Sequence, residues 1–304
     1  MTGSPAVVET LTQLPAVGLG TSDKPIVMAL PPNAREDQIS GGDVIARQLA
    51  DLTEYVVVTV TPSSEAALIE AMGRGNVHIA VLSPFAYVLA HQRGFADAAL
   101  VSLRSGAGRY GAQFIANVDS GFTSYYDAAS GQNTADAAVA LKQFDGKKPC
   151  WDDPASPSGY VIPAGFLGEH GIRTKPAAFV QGHPTVVRAV YARGICDFGA
   201  GYIDARTFPS LKQDFPDVMD RVVVIWRIPS IIPYDNISYA ANLPEDIRQN
   251  LTGSFLTIMD REEGKTALRS VYQIEGLQAV EDTYYNELRV YLEASGIDLA
   301  ALIQ

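Results

Sequence analysis

The chain has 304 residues, of which 47% are hydrophobic and 19% are charged, a composition typical of a folded globular protein rather than a disordered one. Its formal net charge of -11 argues against nucleic acid as a partner, because a phosphate backbone selects a clustered basic surface and this sequence has none. No apolar run approaches the about 20 residues that a membrane-spanning helix needs. At about 100 to 200 residues per domain, the length favours two domains.

Residues 1–24 contain Pro, Gly, Ser and Thr but neither the basic nor the apolar segment of a signal peptide. We therefore predict a flexible N-terminal tail. Strand and helix patterns then alternate, as short apolar runs and as apolar residues spaced three to four apart. The predicted elements of this part are, in chain order, a strand at 25–30, a helix at 44–52, a strand at 55–60, a helix at 64–72, a strand at 77–82 and a helix at 83–94.

A second α/β set follows. Its predicted elements are a crossing strand at 110–117, strands at 148–151, 177–180, 195–200 and 221–226, helices beginning near 156 and 183, and a return crossing at 228–240. Three more helices begin near 244, 262 and 282. This order predicts mainly parallel sheets with right-handed crossovers.

We expect two lobes joined by a two-strand hinge, provided that the C-terminal helices return to the first lobe. Lobe 1 comprises residues 25–115 and 232–304, and lobe 2 comprises residues 116–231.

A helix start at residues 153–159, Asp-Pro-Ala-Ser-Pro-Ser-Gly, is the strongest candidate for a binding site. The first N–H groups of a helix lack intrahelical partners and lie at the positive end of the dipole. Together with the Ser156 and Ser158 hydroxyls, they can hold a phosphate-like group. An ordinary N-cap is the alternative interpretation of the same residues.

Motifs for catalysis and metal binding are missing. The sequence has no phosphate-binding loop ending in Lys-Ser or Lys-Thr, no His-Glu-x-x-His and no Gly-x-Ser-x-Gly, and its four histidines lack ligand spacing. We therefore predict neither a metal nor a cofactor. Cys150 and Cys196 lie in apolar strand-like segments, where a disulfide and two buried thiols are both compatible with the sequence.

Several segments resemble, in order, those of the solute-binding proteins of phosphate, phosphite and phosphonate ABC importers, over about residues 25–304. They are Ser63-Ser64-Glu65-Ala66-Ala67, Val77-His78-Ile79-Ala80, Asp-Pro-x-Ser-x-Ser-Gly-Tyr at 153–160, Gly182-His183, Cys196-Asp197-Phe198-Gly199 and Ile231-Ile232-Pro233-Tyr234-Asp235. The resemblance implies a type II periplasmic-binding-protein fold, in which two α/β lobes with mixed, mainly parallel sheets clamp a ligand in the cleft.

The resemblance also implies the ligand-binding residues. The helix start and a histidine would hold a phosphonate, a first-lobe tyrosine would assist, and two carboxylates would take an amine. In this sequence these residues are Ser156, Ser158, Gly159, His183, Tyr110, Asp204 and Asp235. Glu65 is one further position in the cleft. Each of the side chains singled out has a structural alternative: packing for the tyrosine, helix caps for the histidine and the first aspartate, and a turn for the second.

Two residues depart from the family pattern. Pro157 replaces the usual Thr, which removes one hydroxyl and one N–H from the anion site. At about 0.5 to 1.5 kcal/mol per neutral hydrogen bond, and up to about 3 to a charged group, oxyanion affinity should fall. Glu65 stands where phosphonate binders place a Tyr, so its carboxylate must point away, or the ligand is not an oxyanion at that point.

The expected function is that of a non-catalytic, monomeric, extracytoplasmic substrate-binding lipoprotein. It would deliver a small phosphonate, phosphite or phosphate-type ligand, with or without an amine, to an ABC permease on the membrane. Three alternatives keep the same fold: a sensory domain, an enzyme of the thiamin-precursor type with a cysteine nucleophile and His183 as base, and a receptor for a cation or neutral polar molecule. The residues of such a cation cage would be Glu65, Asp204, Asp235, Tyr110, Tyr202, Tyr234 and Trp226.

Overall fold

The computed structural model describes residues 18–303, so most of the predicted tail at residues 1–24 lies outside the described residues. The strands are β1 (Ile26–Ala29), β2 (Val57–Val60), β3 (Ile79–Leu82), β4 (Ala96–Leu103), β5 (Arg109–Asn117), β6 (Tyr126–Asp127), β7 (Gln132–Asn133), β8 (Pro149–Trp151), β9 (Ala178–Phe179), β10 (Phe198–Tyr202), β11 (Val222–Pro233), β12 (Asn236–Ala240) and β13 (Gly276–Ala279).

The helices include a wide turn at Pro157–Val161 that leads directly into α5. They are α1 (Glu36–Thr53), α2 (Glu65–Gly73), α3 (Pro84–Gln92), α4 (Ala137–Ala140), α5 (Ile162–Glu169), α6 (His183–Ala192), α7 (Pro209–Asp214), α8 (Val218–Arg221), α9 (Glu245–Met259), α10 (Glu262–Tyr272), α11 (Asn286–Ser295) and α12 (Leu299–Leu302). Within residues 18–303, none of these helices is both long and apolar enough to cross a membrane.

The first sheet has six strands in the order β13-β4-β12-β3-β1-β2. The strands β1, β2 and β3 are parallel, whereas β12 and β13 run antiparallel to their neighbours. The inner parallel strands are continuous apolar runs because helices cover both faces of the sheet. For example, Ile26 on β1 and Ile45 and Leu49 on α1 are fully buried against one another in one core.

The second sheet has five strands in the order β11-β5-β10-β8-β9. The strands β8, β9 and β10 are parallel, and β5 is antiparallel to both of its neighbours. Aromatic rings dominate its core, where the Phe144 and Phe198 rings stack with their centroids 4.1 Å apart and Phe114 packs beside them. The predicted α/β fold with two mixed sheets is confirmed. We call each sheet with its covering helices the first and the second lobe.

Both cysteines form one disulfide in the second lobe. Cys150 on β8 and Cys196 just before β10 have Cα atoms 5.5 Å apart, as neighbouring strands of one sheet allow. Of the two arrangements that the sequence left open, the structure contains the disulfide.

The chain passes from the first sheet to the second through residues 104–108 and returns through residues 234–235. In the first passage, Arg104 and Ala107 pair across a two-residue turn. Ser105 and Gly106 take positive φ angles of 50° and 79° there, the conformation that such tight turns require. The passages are short, and the long strands β5 and β11 belong to the second sheet.

The C-terminal helices divide between the lobes, which differs from the predicted assignment of all residues 232–304 to the first lobe. The helices α9 and α10 pack on α1, but α11 packs on α5 of the second lobe. Gly165 and Gly168 allow this contact, because a Cβ at either position would lie 2.1 Å from a carbonyl oxygen of α11. The Phe166 and Tyr291 rings also stack across this contact at 3.8 Å, and α12 then returns to contact α3 of the first lobe.

Candidate functional site

A cavity of about 720 Å³ lies between the lobes. Of the eight residues predicted for the site, it brings together Glu65, Tyr110, Ser158, His183 and Asp235. The other three predicted residues, Ser156, Gly159 and Asp204, do not line it.

The start of the helical segment at Pro157–Val161 forms the second-lobe wall. The Ser156 hydroxyl accepts a hydrogen bond from the Gly159 N–H at 3.1 Å, so Ser156 is an N-cap, as its structural alternative proposed. Ser158 is only 3% exposed and contributes to the cavity wall. Its N–H has no hydrogen-bond acceptor among residues 18–303, because it lies in the first turn of a helix.

Gly159 has a packing role. A Cβ at this position would lie 2.4 Å from the Cβ of Asp152, so only glycine lets the helix start approach the end of β8 this closely. The close approach explains the glycine of the Ser-x-Ser-Gly segment without a direct contact to a ligand.

His183 begins α6 and is held by Asp152. The His183 Nε2 lies 3.2 Å from one Asp152 carboxylate oxygen, and the other oxygen accepts the Gly182 N–H. Burial lowers the pKa of His183, and the Asp152 carboxylate opposes that shift without cancelling it. The ring is therefore neutral near pH 7 and brings no positive charge to the cavity.

Two stacked tyrosines line the cavity. The Tyr110 and Tyr234 rings stack with centroids 4.8 Å apart, and Ser158 lies beside the Tyr110 hydroxyl. Burial raises the pKa of Tyr110, so its hydroxyl keeps the proton and remains a neutral donor. The stack joins the start of β5 to the return passage.

Arg104 is the cation that sequence reasoning missed. It lies on the first passage between the sheets, lines the cavity and places its guanidinium carbon 4.7 Å from the centroid of the Tyr234 ring. Its Nε is buried and has no hydrogen-bond partner within the described residues. A single Arg in a turn between two strands follows no recognisable motif, so the sequence carries no signal for it.

Two carboxylates line the first-lobe side. Asp235 lies on the return passage, and burial raises its pKa to about 6, with Glu65 adding to the shift and Arg104 opposing it. Glu65 begins α2, and its carboxylate accepts the Ser83 N–H at 3.2 Å. Glu65 contributes to the cavity wall while its carboxylate is engaged by the Ser83 N–H, so the two alternatives, a carboxylate turned from the ligand and a ligand that is not an oxyanion at this point, both stay predictions.

Asp204 serves the interior of the second lobe instead of the cavity. Its carboxylate pairs with the Arg206 guanidinium at 2.6 Å and accepts the Gln113 side-chain amide at 2.7 Å. Burial acts to raise the pKa of Asp204, but the Arg206 guanidinium and the hydrogen bonds outweigh it and hold that pKa below its usual value. The predicted amine contact at Asp204 is therefore replaced by an ion pair and a cap of the following turn.

Apolar and aromatic side chains complete the walls. Tyr202, Ile203, Leu302 and Ile303 line the cavity, and the last two come from the segment that returns to α3. Sequence reasoning missed Leu302 and Ile303 because the helical pattern it followed ends near residue 295. Trp226, proposed for a cation cage, lies elsewhere and donates its indole N–H to the Ala135 carbonyl.

Two α/β lobes joined by short passages, with a cavity of polar and apolar side chains between them, are the architecture of a periplasmic binding protein. Comparison with known proteins identifies the family within this class. Residues 28–285 match the model of the family described as ABC transporter, phosphonate, periplasmic substrate-binding protein, and the chain belongs to this family.

A relative found by sequence comparison agrees with this assignment. The phosphate-import protein PhnD of Mycolicibacterium smegmatis is 30% identical over 187 residues, which cover 57% of this chain and 53% of that protein, so the chain matches about half of this relative's length.

Among solved structures, XAC2383 from Xanthomonas citri bound to ATP superposes with a TM-score of 0.64 at 16% identity, over 89% of this chain and 96% of that one. PhnD1 from Prochlorococcus marinus in complex with methylphosphonate gives a TM-score of 0.55 at 14% identity, over 88% of this chain and 96% of that one. These two likenesses show the fold.

Proposed function

We propose that this chain is the substrate-binding component of an ABC importer and captures a small phosphonate, phosphite or phosphate-type oxyanion in the cavity between its lobes. Family membership and the relatives named for phosphate import and methylphosphonate support this proposal. The observation that carries it is the second-lobe wall, where the Ser158 N–H and hydroxyl and the Tyr110 hydroxyl converge beside the buried start of a helix.

Arg104 supplies the charge that this wall lacks. Ser158 and Tyr110 are neutral donors, and Pro157 removes one N–H from the same helix start. A guanidinium without a partner at its Nε, lining the same cavity, offers the oxyanion a charge-assisted hydrogen bond. Such bonds contribute about 1.5 to 3 kcal/mol each, enough to offset the donors lost at Pro157.

We assign no catalytic role to the cavity. The enzyme alternative needs a cysteine thiolate as nucleophile, and both cysteines of the chain are joined in the disulfide. Neither sulfur is therefore available as a thiolate while the disulfide is intact. The ligand would be bound and released unchanged.

The proposed setting is extracytoplasmic. A disulfide between the only two cysteines is typical of an oxidising compartment. There the protein would act as a monomer and deliver its ligand to a membrane permease.

Titration calorimetry with methylphosphonate, phosphite, phosphate and 2-aminoethylphosphonate tests the proposal. We expect saturable binding of at least one of these ligands, and a loss of about tenfold or more in affinity for Ser158→Ala, because a hydrogen bond to a charged group is removed. Ser156→Ala is the matched control, since its hydroxyl caps the helix outside the cavity. No heat with any ligand, or equal losses for both variants, would contradict the proposal.

A cation or neutral polar ligand in the same cavity is the second candidate, and the two carboxylates Glu65 and Asp235 favour it. Arg104→Gln separates the candidates because the Arg104 charge attracts an oxyanion and repels a cation. Weaker binding by this variant supports the oxyanion, and tighter binding supports the cation.

A further inference from the structure

We propose that residues 296–303, which follow α11, form a movable lid on the cavity between the lobes and control how fast a ligand enters and leaves it. We call these residues the lid segment. A role in ligand exchange rests on the proposed function, because the lid segment needs a ligand to admit and release.

The lid segment leaves the second lobe and returns to the first. The preceding helix, α11, packs on α5 of the second lobe, and α12 within the lid segment contacts α3 of the first lobe. Leu302 and Ile303 then line the cavity together with Pro84 and Phe85 at the start of α3. The lid segment is therefore part of the cavity wall, although it belongs to neither sheet.

The attachment of the lid segment to the first lobe is weak. Its hydrogen bonds are local, since the Gly296 and Ile297 N–H groups donate to the last turn of α11 and the Asp298 carboxylate caps α12 itself. No hydrogen bond or ion pair joins residues 296–303 to α3, both of which lie within the described chain, so apolar packing alone makes this contact. Segments with few buried contacts and no hydrogen bonds to their neighbours are those that open locally at a low cost in free energy.

The packing between the lid segment and α3 is also incomplete. Residues 297–299 line a groove of about 510 Å³ with Val88 and Leu89 of α3, a void that close packing would fill. Within the lid segment only Ile303 is buried. Gly296 separates it from α11 with a φ angle of 67°, which other residues rarely adopt. The lid segment can therefore swing about this glycine while few contacts are lost.

Displacement of the lid segment would remove Leu302 and Ile303 from the wall and open the cavity at that point. A ligand enclosed under the closed lid would contact these side chains, so binding should favour the closed arrangement. Exchange of the ligand would then require the lid to open, as it does in proteins whose loops enclose a bound molecule.

Hydrogen exchange of the backbone amides of residues 299–303, followed by mass spectrometry, tests whether the lid closes on a ligand. The probe is whichever of methylphosphonate, phosphite, phosphate and 2-aminoethylphosphonate binds wild type most tightly in calorimetry. We expect exchange to be at least about tenfold slower with saturating ligand than without it, because binding favours the closed lid. Exchange at the same rate in both conditions would overturn the inference.

Leu299→Ala tests whether the lid limits ligand exchange. Leu299 lines the groove beside α3 and does not line the cavity, so its truncation weakens the closed lid without removing a ligand contact. We expect the association and dissociation rate constants, measured by stopped-flow fluorescence, each to rise about threefold or more while Kd changes by less than either. Leu256→Ala is the matched control, because Leu256 is also a partly exposed helical leucine but lies on α9, outside the cavity, and it should leave both rate constants unchanged.

The possible failures are distinguishable. Unchanged rate constants in Leu299→Ala, a rise in the dissociation rate constant alone, or equal changes in Leu256→Ala would show a fixed wall and overturn the inference, while the proposed function would stand. Failure of wild type to bind any of the four ligands would overturn both.

Discussion

At the residue scale, the carboxyl group of Asp235 lies in an environment that raises its pKa. It lies on the return passage between the lobes, next to Arg104, Glu65 and the Tyr110–Tyr234 stack. Burial raises its pKa to about 6, and Glu65 adds to the shift. An acid with a raised pKa binds its proton more tightly in the folded protein than in the unfolded chain.

The stability of the folded protein should therefore fall as the pH rises. The stability that the Asp235 proton contributes is fully present below about pH 4, the ordinary range of an aspartate, and is lost as pH rises through about 6. We expect the ligand-free wild type to lose stability over this interval relative to Asp235→Asn, by at most about 3 kcal/mol and by less to the extent that water screens the site. Urea unfolding of both proteins across this pH range measures the difference, and parallel stability curves would contradict the assignment.

Some residues of the candidate site could be predicted from the sequence, and others could not. Four predicted residues reach the cavity because the order of strands and helices brings their elements to one cleft: Ser158, His183, Tyr110 and Asp235. The apolar pattern of the sequence predicts that order. Asp204 was misassigned because its partner depends on side-chain geometry: the Arg206 guanidinium folds back on it within the same turn.

At the element scale, the contact between α5 and α11 links the helix that begins at the cavity to the C-terminal part of the chain. Gly165 and Gly168 present backbone to the α11 carbonyls, and no side chain fits between them. The sequence pattern identified both helices but not their contact, because two glycines in an apolar helix do not indicate which helix they meet.

Gly165→Ala tests this contact. The added Cβ would lie 2.1 Å from the Tyr291 carbonyl oxygen, so α11 must shift, and we expect a loss of about 1 to 3 kcal/mol or more in the free energy of unfolding. Gly253→Ala on α9 is the matched control, because its Cβ would meet no atom within 4 Å. This control should gain up to about 1 kcal/mol from helix propensity. Similar unfolding midpoints for the two variants would show that α11 does not pack closely on α5.

The disulfide is the second element-scale feature, since it fixes β8 beside the start of β10 in the second sheet. It closes a loop with a sequence separation of 46, for which the loss of chain entropy in the unfolded state gives a stabilisation of about 3 to 4 kcal/mol. We expect Cys150→Ala with Cys196→Ala to unfold at lower urea concentration by this amount. Wild type treated with a reductant should approach the double variant, and a double variant as stable as oxidised wild type would contradict the expectation.

At the scale of the whole molecule, the chain connects the lobes more than twice. Besides the passages at residues 104–108 and 234–235, the segment after β13 crosses to α11 on the second lobe, and α12 returns to α3. The predicted two-strand hinge counts only the first two passages, because the sequence cannot show that α11 leaves the first lobe. A ligand in the cavity touches both lobes and the passages themselves, so it would favour the arrangement in which the lobes close on it.

The sequence-based prediction was also most successful for the two-lobed architecture. Alternating strands and helices, interrupted by two long crossings, predicted two mixed sheets with a cleft between them, and the structure contains both sheets. The cavity residues Arg104 and Glu65 were harder to predict than the fold, because their neighbours come from distant parts of the chain.

A crystal structure with 2-aminoethylphosphonate bound tests the central claim most directly, because it reports the position and the direction of the ligand together. We expect the phosphonate group to lie against Ser158 and Arg104, in the cavity between the lobes. A ligand bound outside this cavity, or one with its phosphonate against Glu65, would contradict it.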